Sequence, residues 1–303
     1  MDIKTWNALH SAIDKLAKIE DNHIYCHYAS PAAFVSIFDS YIRKHELKPI
    51  TECTMRASHI RFLNDSKEYF DGLKWLQRLH KGETFRPDSL SDDIYSISFC
   101  GNEDLLSQWK WYGKDSGIAI SFDMSNIQYK YYDVETRLPD VDTHTKPLPV
   151  KYSDDAKRAY YEEIDSQCCE LQLNQKSMPF RSNLFVPFCK DEGFVEEKES
   201  RLIFYNVDGK SVGIKPFDIQ YIPSGNTLKP TLHVTFRAID ESKGIIKRLT
   251  VGPGQDQELV YHALIHIMGG ALPSSESSKS EKNNGKLVLN GVEIRKSRIP
   301  FRG

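Results

Sequence analysis

"FVEEKESRLIF", residues Phe194 to Phe204, sets Glu196, Glu197, Glu199 and Arg201 against the apolar run Leu202–Phe204. The run is short and β-prone, so the stretch reads as a charged loop feeding a buried strand. Further on, "TLHVTFRAI" (Thr231–Ile239) and "IIKRLTVG" (Ile245–Gly252) also read as strands. Strands thus dominate the second half, whereas helices and strands alternate in the first. That order predicts a mixed α+β fold, with mostly antiparallel sheets and flanking helices, rather than a regular doubly wound sheet.

Working outward, "HIYCHYAS" (His23–Ser30) alternates as a strand, with His23, Tyr25 and His27 on one face and Ile24, Cys26 and Tyr28 on the other. Ser30-Pro31 is an N-cap and first-turn pair for a helix carrying Phe34, Ile37 and Phe38. "IRFLNDSKEYFDGLKWL" reads as a strand end, a turn in which Asn64 or Asp65 caps, and a helix with Tyr69, Leu73 and Leu76 on one side. "IYSISFC" (Ile94–Cys100) and "GIAISFD" (Gly117–Asp123) are strands, and "LLSQWKWYG" between them is a short helix closed by Gly113. A charged helix is predicted from about Asp154 to Asn174. Another carries Leu259, Ala263, Leu264 and Ile267 and stops at Gly269-Gly270, and "LVLNGVEIRKS" (Leu287–Ser297) is a last strand. The spacing of Ile3, Trp6, Leu9, Ile13, Leu16 and Ile19 predicts an opening helix over 1–20, and the polar stretch 273–286 a mobile loop. No linker separates these elements, so a single domain over 1–303 is expected.

The 303 residues carry 40 basic and 42 acidic side chains, a formal charge of −2. That balance gives no whole-chain footprint for duplex nucleic acid or a membrane surface. No signal-like or membrane-spanning apolar run is present, and the six cysteines lack CxxC spacing, so a cytoplasmic protein with reduced thiols is expected. His23, Cys26 and His27 are close enough to suggest zinc, but a strand turns Cys26 away from both histidines, and no metal is expected. "TVGPGQDQE" lacks the residues of a phosphate-binding loop and reads as a structural turn.

Taken together, "IYCHYAS" with "AFVSIF", "RFLNDSKE", "SISFC", "LLSQWKWYG" with "GIAISFD", "GFVEEKESRLIF", "VGP" and "SRIPFR" resemble the bacterial domain-of-unknown-function family 2971, over roughly Tyr25 to Arg302. The strand with His-Tyr, a nearby Ser and the "SIF" helix is similar to the opening of ADP-ribosyltransferase folds. The resemblance implies an intracellular enzyme that uses NAD, acting in a defence or toxin system on a protein or nucleic-acid acceptor or hydrolysing the cofactor. It implies that Glu199 carries catalysis with Glu197 orienting the acceptor, and that His27 positions NAD. Trp111 or Tyr112 would stack on nicotinamide, while Tyr28, Ser98 and Arg201 complete the nucleotide contacts. Tyr28 stands where many such enzymes have glycine. As a catalytic carboxylate Glu199 is expected to matter to chemistry and little to folding. Three other readings stand beside this one: a non-enzymatic nucleotide- or nucleic-acid-binding module, hydrolysis of a phosphodiester, for which no clear cluster of metal-binding carboxylates emerges, and a solvated ladder of Glu197, Glu199 and Arg201 with no chemical role.

Overall fold

The computed structural model describes residues 23–44, 48–63, 66–80, 94–113, 116–130, 146–170, 178–205, 219–224, 227–270 and 287–300. The strands, in chain order, are β1 (Ile24–Ala29), β2 (Glu52–His59), β3 (Ile94–Cys100), β4 (Ile118–Asp123), β5 (Ile127–Lys130), β6 (Leu148–Pro149), β7 (Glu199–Tyr205), β8 (Ile219–Ser224), β9 (Thr227–Ala238), β10 (Ile246–Val251), β11 (Leu287–Leu289) and β12 (Val292–Lys296). The helices used below are α1 (Pro31–Ile37), α2 (Ser66–Leu79), α3 (Asp154–Glu170), α4 (Met178–Phe185) and α5 (Gln257–Ile267). The expected helix over 1–20, the cap at Asn64 or Asp65 and the loop over 273–286 lie outside the described residues. Among the described residues no helix is long and apolar enough to cross a membrane.

The chain divides into two compact units, one of Met1–Glu20, Arg56–Ser98 and Lys130–Val234, the other of Asp21–Met55, Phe99–Tyr129 and Thr235–Gly303. In the second, β4 is buried along its whole length, as its apolar sequence IAISFD demands. It pairs antiparallel with β1, from Ile24↔Asp123 to Ala29↔Ile118, and with β10, from Ile246↔Phe122 to Val251↔Ile118. β12 runs parallel to β10, and β11 antiparallel to β12. Phe122 sits edge-on to Phe99 and Phe236, at 6.1 and 5.7 Å between ring centroids. Burying each such ring contributes about 2–3 kcal/mol. α1 starts as its sequence predicts, with Ser30 Oγ accepting the Ala33 N–H at 3.3 Å. α5 ends before Gly269, whose φ of 79° suits glycine.

One reading changes here. "LVLNGVEIRKS" forms two strands, because Asn290 and Gly291 both take positive φ, 49° and 80°, and fold β11 back on β12. Asn-Gly is the favoured pair for such a two-residue hairpin turn, whose twist matches that of the flanking strands.

In the first unit β2 pairs antiparallel with β3 through Ser58↔Ser96 and His59↔Tyr95. β7 pairs with β3 and, through Leu148↔Arg201, with β6. β8 and β9 form an antiparallel hairpin. The "IRF" read as a strand end is a 3-10 turn following β2, its Arg61 N–H held by His59 Nδ1 at 3.2 Å. α2, α3 and α4 supply one core, including Leu73, Leu76, Tyr160, Ile164, Leu184 and Phe185. α2 approaches that core so closely at Gly72 that a Cβ there would stand 3.2 Å from the Val186 side chain and carbonyl. The fold is mixed α+β, with mostly antiparallel pairing and flanking helices.

Candidate functional site

The approach to β7 is more ordered than a charged loop. Asp191 Oδ1 accepts the Gly193 N–H at 2.9 Å and starts a 3-10 helix over Glu192–Glu197. Lys198 closes it in the left-handed region, at φ 44°, and turns the chain into β7. This turn, rather than strand alternation, puts Glu197 and Glu199 on the same side. Both converge on Lys190, whose Nζ donates to Glu197 Oε2 at 2.6 Å and to Glu199 Oε2 at 2.8 Å. Arg201 grips Glu199 with two bonds, Nε to Oε1 at 2.6 Å and Nη2 to Oε2 at 2.9 Å, and its Nη1 donates to the Pro187 carbonyl at 2.7 Å. The Glu199 N–H donates to Tyr152 Oη at 2.8 Å.

A solvated ladder does not describe this group. Glu199 is 5% exposed, and Lys190, Glu197 and Arg201 are buried with it. Two cations and two carboxylates cancel, the condition under which charge can leave water at tolerable cost. Burial alone would push the Glu199 carboxyl up. The Arg201 guanidinium and the Lys190 ammonium outweigh it and hold the carboxyl down at about 2. Burial pushes the Tyr152 phenol up to about 12. Glu199 is therefore ionised, and Tyr152 protonated, at neutral pH. Glu199 is also more than a chemical group. Deleting its charge would leave two buried cations, Arg201 and Lys190, against the single carboxylate of Glu197, so it matters to folding as well. Glu196, by contrast, faces solvent.

Sequence reasoning missed Lys190 and Tyr152. Neither sits in a periodic pattern, and the only hint is that Lys190 precedes the carboxylate stretch by one loop. Ser98, half-buried on β3, belongs to the same unit as Glu197, Glu199 and Arg201.

His27, Tyr28, Trp111 and Tyr112 belong to the other unit. β1 alternates as read. The half-buried His27 ring lies edge-on to Phe99 at 6.1 Å, and Tyr28 takes the opposite face against Trp109 at 4.6 Å. The Tyr28 hydroxyl donates to the Asn102 carbonyl and accepts the Leu105 N–H, both at 2.9 Å, and so ties down the loop after β3. Tyr112 packs against the cluster of Cys26, Tyr28, Cys100 and Trp109, which is the face of β1 away from His27. Trp111 is 69% exposed, with Lys110 Nζ 5.9 Å from its ring centroid.

The glycine of "TVGPG" has a packing role. Gly252 donates its N–H to the Gly117 carbonyl at 2.7 Å, and a Cβ at Gly252 would lie 2.5 Å from the Trp109 ring. Nearby in sequence, Glu103 occupies a second charge cluster that the sequence did not suggest. Arg248 Nη1 donates to both its oxygens, at 2.6 and 2.7 Å, Arg295 Nη2 donates to Oε1, and Ser121 Oγ donates to Oε2 at 3.0 Å. Among the described residues no group of three or more His, Cys, Asp or Glu side chains could hold a metal ion.

These features define a mixed α+β protein with a buried carboxylate–cation cluster at the start of one strand. Residues 108–202 match the model of a family described as "Protein of unknown function (DUF2971)", which bears out the resemblance over that stretch. Lys190, Glu197, Glu199, Arg201, Trp111 and Tyr112 all lie inside the match. No curated protein and no solved structure matches the chain.

Proposed function

We propose that the protein is an NAD-using enzyme of ADP-ribosyltransferase type, serving a bacterial defence or toxin system. It would pass ADP-ribose to a macromolecular acceptor, protein or nucleic acid, or to water. The observation that carries this reading is Glu199, a carboxylate opening β7, ionised and fixed by Arg201 and Lys190. In the reaction the nicotinamide–ribose C–N bond breaks and its electron pair leaves with nicotinamide, so positive charge builds on the sugar as in glycoside hydrolysis. A fixed carboxylate stabilises that charge without reorganising. An acceptor oxygen or nitrogen then bonds to the same carbon and loses its proton, for which Glu197, on the same side as Glu199, is the nearby base. The resemblance assigns nucleotide binding to His27 and stacking to the exposed Trp111, both in the second unit, and NAD binding by their variants tests that assignment on its own.

The burial of all four charges supports a second reading, in which the cluster only anchors the 190–198 segment to β7 and the protein binds a nucleotide or nucleic acid without chemistry. Nicotinamide release from NAD, with a mass-spectrometric search for ADP-ribose adducts in expressing cells, separates the two. The first reading expects turnover, and a fall of ~100-fold or more in Glu199→Gln per folded molecule. It also expects weaker NAD binding in His27→Ala at unchanged thermal stability. NAD binding without turnover selects the second reading, and a calorimetric blank with NAD removes the cofactor from both.

A further inference from the structure

Cys26 on β1 and Cys100 on β3 are register partners across an antiparallel pair. Directly opposed residues in such a pair project to the same face, with Cα atoms about 4.5–5.5 Å apart. That spacing falls within the range over which two cysteines can be bridged, roughly 4.4–6.8 Å. Both side chains are buried in one cluster with Tyr28, Trp109 and Ala119, and both are reduced. The pair lies one layer below the surface. Leu105, Tyr112 and Ile299, which pack against the cluster, are half-buried, and Gly101 and Asn102 beside Cys100 are exposed.

The surroundings of the two sulfurs are polar. Burial, then Cys100 and Glu103, push the Cys26 thiol up, while the Ser121 side chain, by hydrogen bonding, and the Arg295 guanidinium, by its charge, favour the thiolate. The Asn102 N–H donates to Cys100 Sγ at 3.4 Å. Each sulfur thus has a group in place for the negative charge that exchange chemistry requires. Cys53, buried on β2, makes the contrast: there burial and then Glu52 both oppose the thiolate.

We infer that Cys26 and Cys100 form an oxidisable dithiol, a modification site that closes to an intramolecular disulfide by exchange with a small-molecule disulfide. One cysteine thiolate attacks a sulfur of the reagent, forming a mixed disulfide and expelling one reagent thiolate. The second cysteine thiolate attacks the protein sulfur of that mixed disulfide, the cross-strand S–S bond forms and the second reagent thiolate leaves. Two electrons pass from the dithiol to the reagent, and the two thiol protons end on the two reagent thiols. Closure joins β1 to β3 at the head of the segment that leads to Trp111. In a reducing compartment the dithiol is the resting form and the disulfide a transient one. The inference rests on the second unit alone and is independent of NAD turnover.

The test incubates the native full chain with bis(2-hydroxyethyl) disulfide for hours at mildly alkaline pH, the timescale of uncatalysed exchange. Alkylation, digestion without reductant and mass spectrometry then locate every cysteine. A linked pair of peptides carrying Cys26 and Cys100 is expected, lost on treatment with dithiothreitol and missing in Cys100→Ser. Modification of the exposed Cys169 marks that the reagent has acted, and Cys53 should stay reduced because the chain stays folded. Three results would overturn the assignment: Cys26 and Cys100 both reduced when Cys169 is fully modified, each carrying its own reagent without a link, or Cys53 modified alongside them, which would place the reaction in the unfolded chain.

Discussion

Glu199 and Glu103 are each held by two basic side chains, one in each unit, and they are held differently. Glu199 meets Arg201 and Lys190 with its side chain 6% exposed, while Glu103 meets Arg248 and Arg295 with 23% exposed. Water reaches the second cluster and can take over when a partner is lost. Arg248 also keeps Glu293 at 3.0 Å, and Arg295 keeps Thr250 Oγ1 at 3.1 Å. In the first cluster Lys190 keeps Glu197 and Arg201 keeps the Pro187 carbonyl, but all four charged members are buried, so water cannot make up a lost charge. The same pairing chemistry therefore serves as an obligatory knot at β7 and as a replaceable brace at Glu103. What differs is access to solvent rather than the count of bonds.

The largest expected effect breaks the knot. Glu199→Gln should cost about 3–5 kcal/mol of unfolding free energy, the range for removing one partner of a buried ion pair. Glu103→Gln should cost about 1 kcal/mol, nearer to an exposed pair. Urea unfolding of both variants beside the parent measures the difference. Equal costs would mean that solvent access does not set the energetics.

Acid titration sharpens the same contrast with a smaller effect. Glu199 has a folded value of about 2 against an ordinary 4.5, so the unfolded chain binds its proton first as the pH falls. The stability it contributes is fully present above pH 4.5 and is lost as the pH falls towards 2. Glu103 has the same sign: burial pushes its carboxyl up, but Arg248 and Arg295 hold it below the ordinary range. Stability should decline through this window in the parent. The decline should be distinctly shallower in Glu199→Gln and only slightly shallower in Glu103→Gln. An unchanged slope in Glu199→Gln would mean that its carboxyl is not held down by the cluster.

The contrast also marks where the sequence could be read. The alternation of "HIYCHYAS", the Ser30-Pro31 start of α1 and the strand after "FVEEKES" are local patterns, and local physics fixes them. The Asn290-Gly291 hairpin was equally local, but the apolar runs on both sides read as one strand. The knot was half legible. Glu197, Glu199 and Arg201 stood in view, while Lys190 and Tyr152 had no pattern to bring them in. Burial was the hidden quantity, because charged residues are ordinarily found outside and nothing in a charge-rich stretch announces the exception. The Glu103 brace was not legible at all. Its arginines lie 145 and 192 residues away, a pairing that only the sheet creates.

The smallest expected effect comes from the carboxylate nearest the knot that takes no part in it. Glu196 lies one residue before Glu197 and three before Glu199, yet it faces solvent at the end of the 3-10 helix. The left-handed turn at Lys198 carries Glu197 and Glu199 inward together and leaves Glu196 behind. Exposed charges away from caps and clusters change stability by roughly 0.5 kcal/mol or less. Glu196→Gln should accordingly leave the urea midpoint, the acid slope and any nicotinamide release at parental values. It carries the same chemical change as Glu199→Gln three residues away, so it separates the loss of a carboxylate from the loss of a buried one. Should Glu196→Gln approach Glu199→Gln in unfolding cost, the stretch would be acting as a charged whole, and the contrast between knot and brace would have to rest on something other than solvent access.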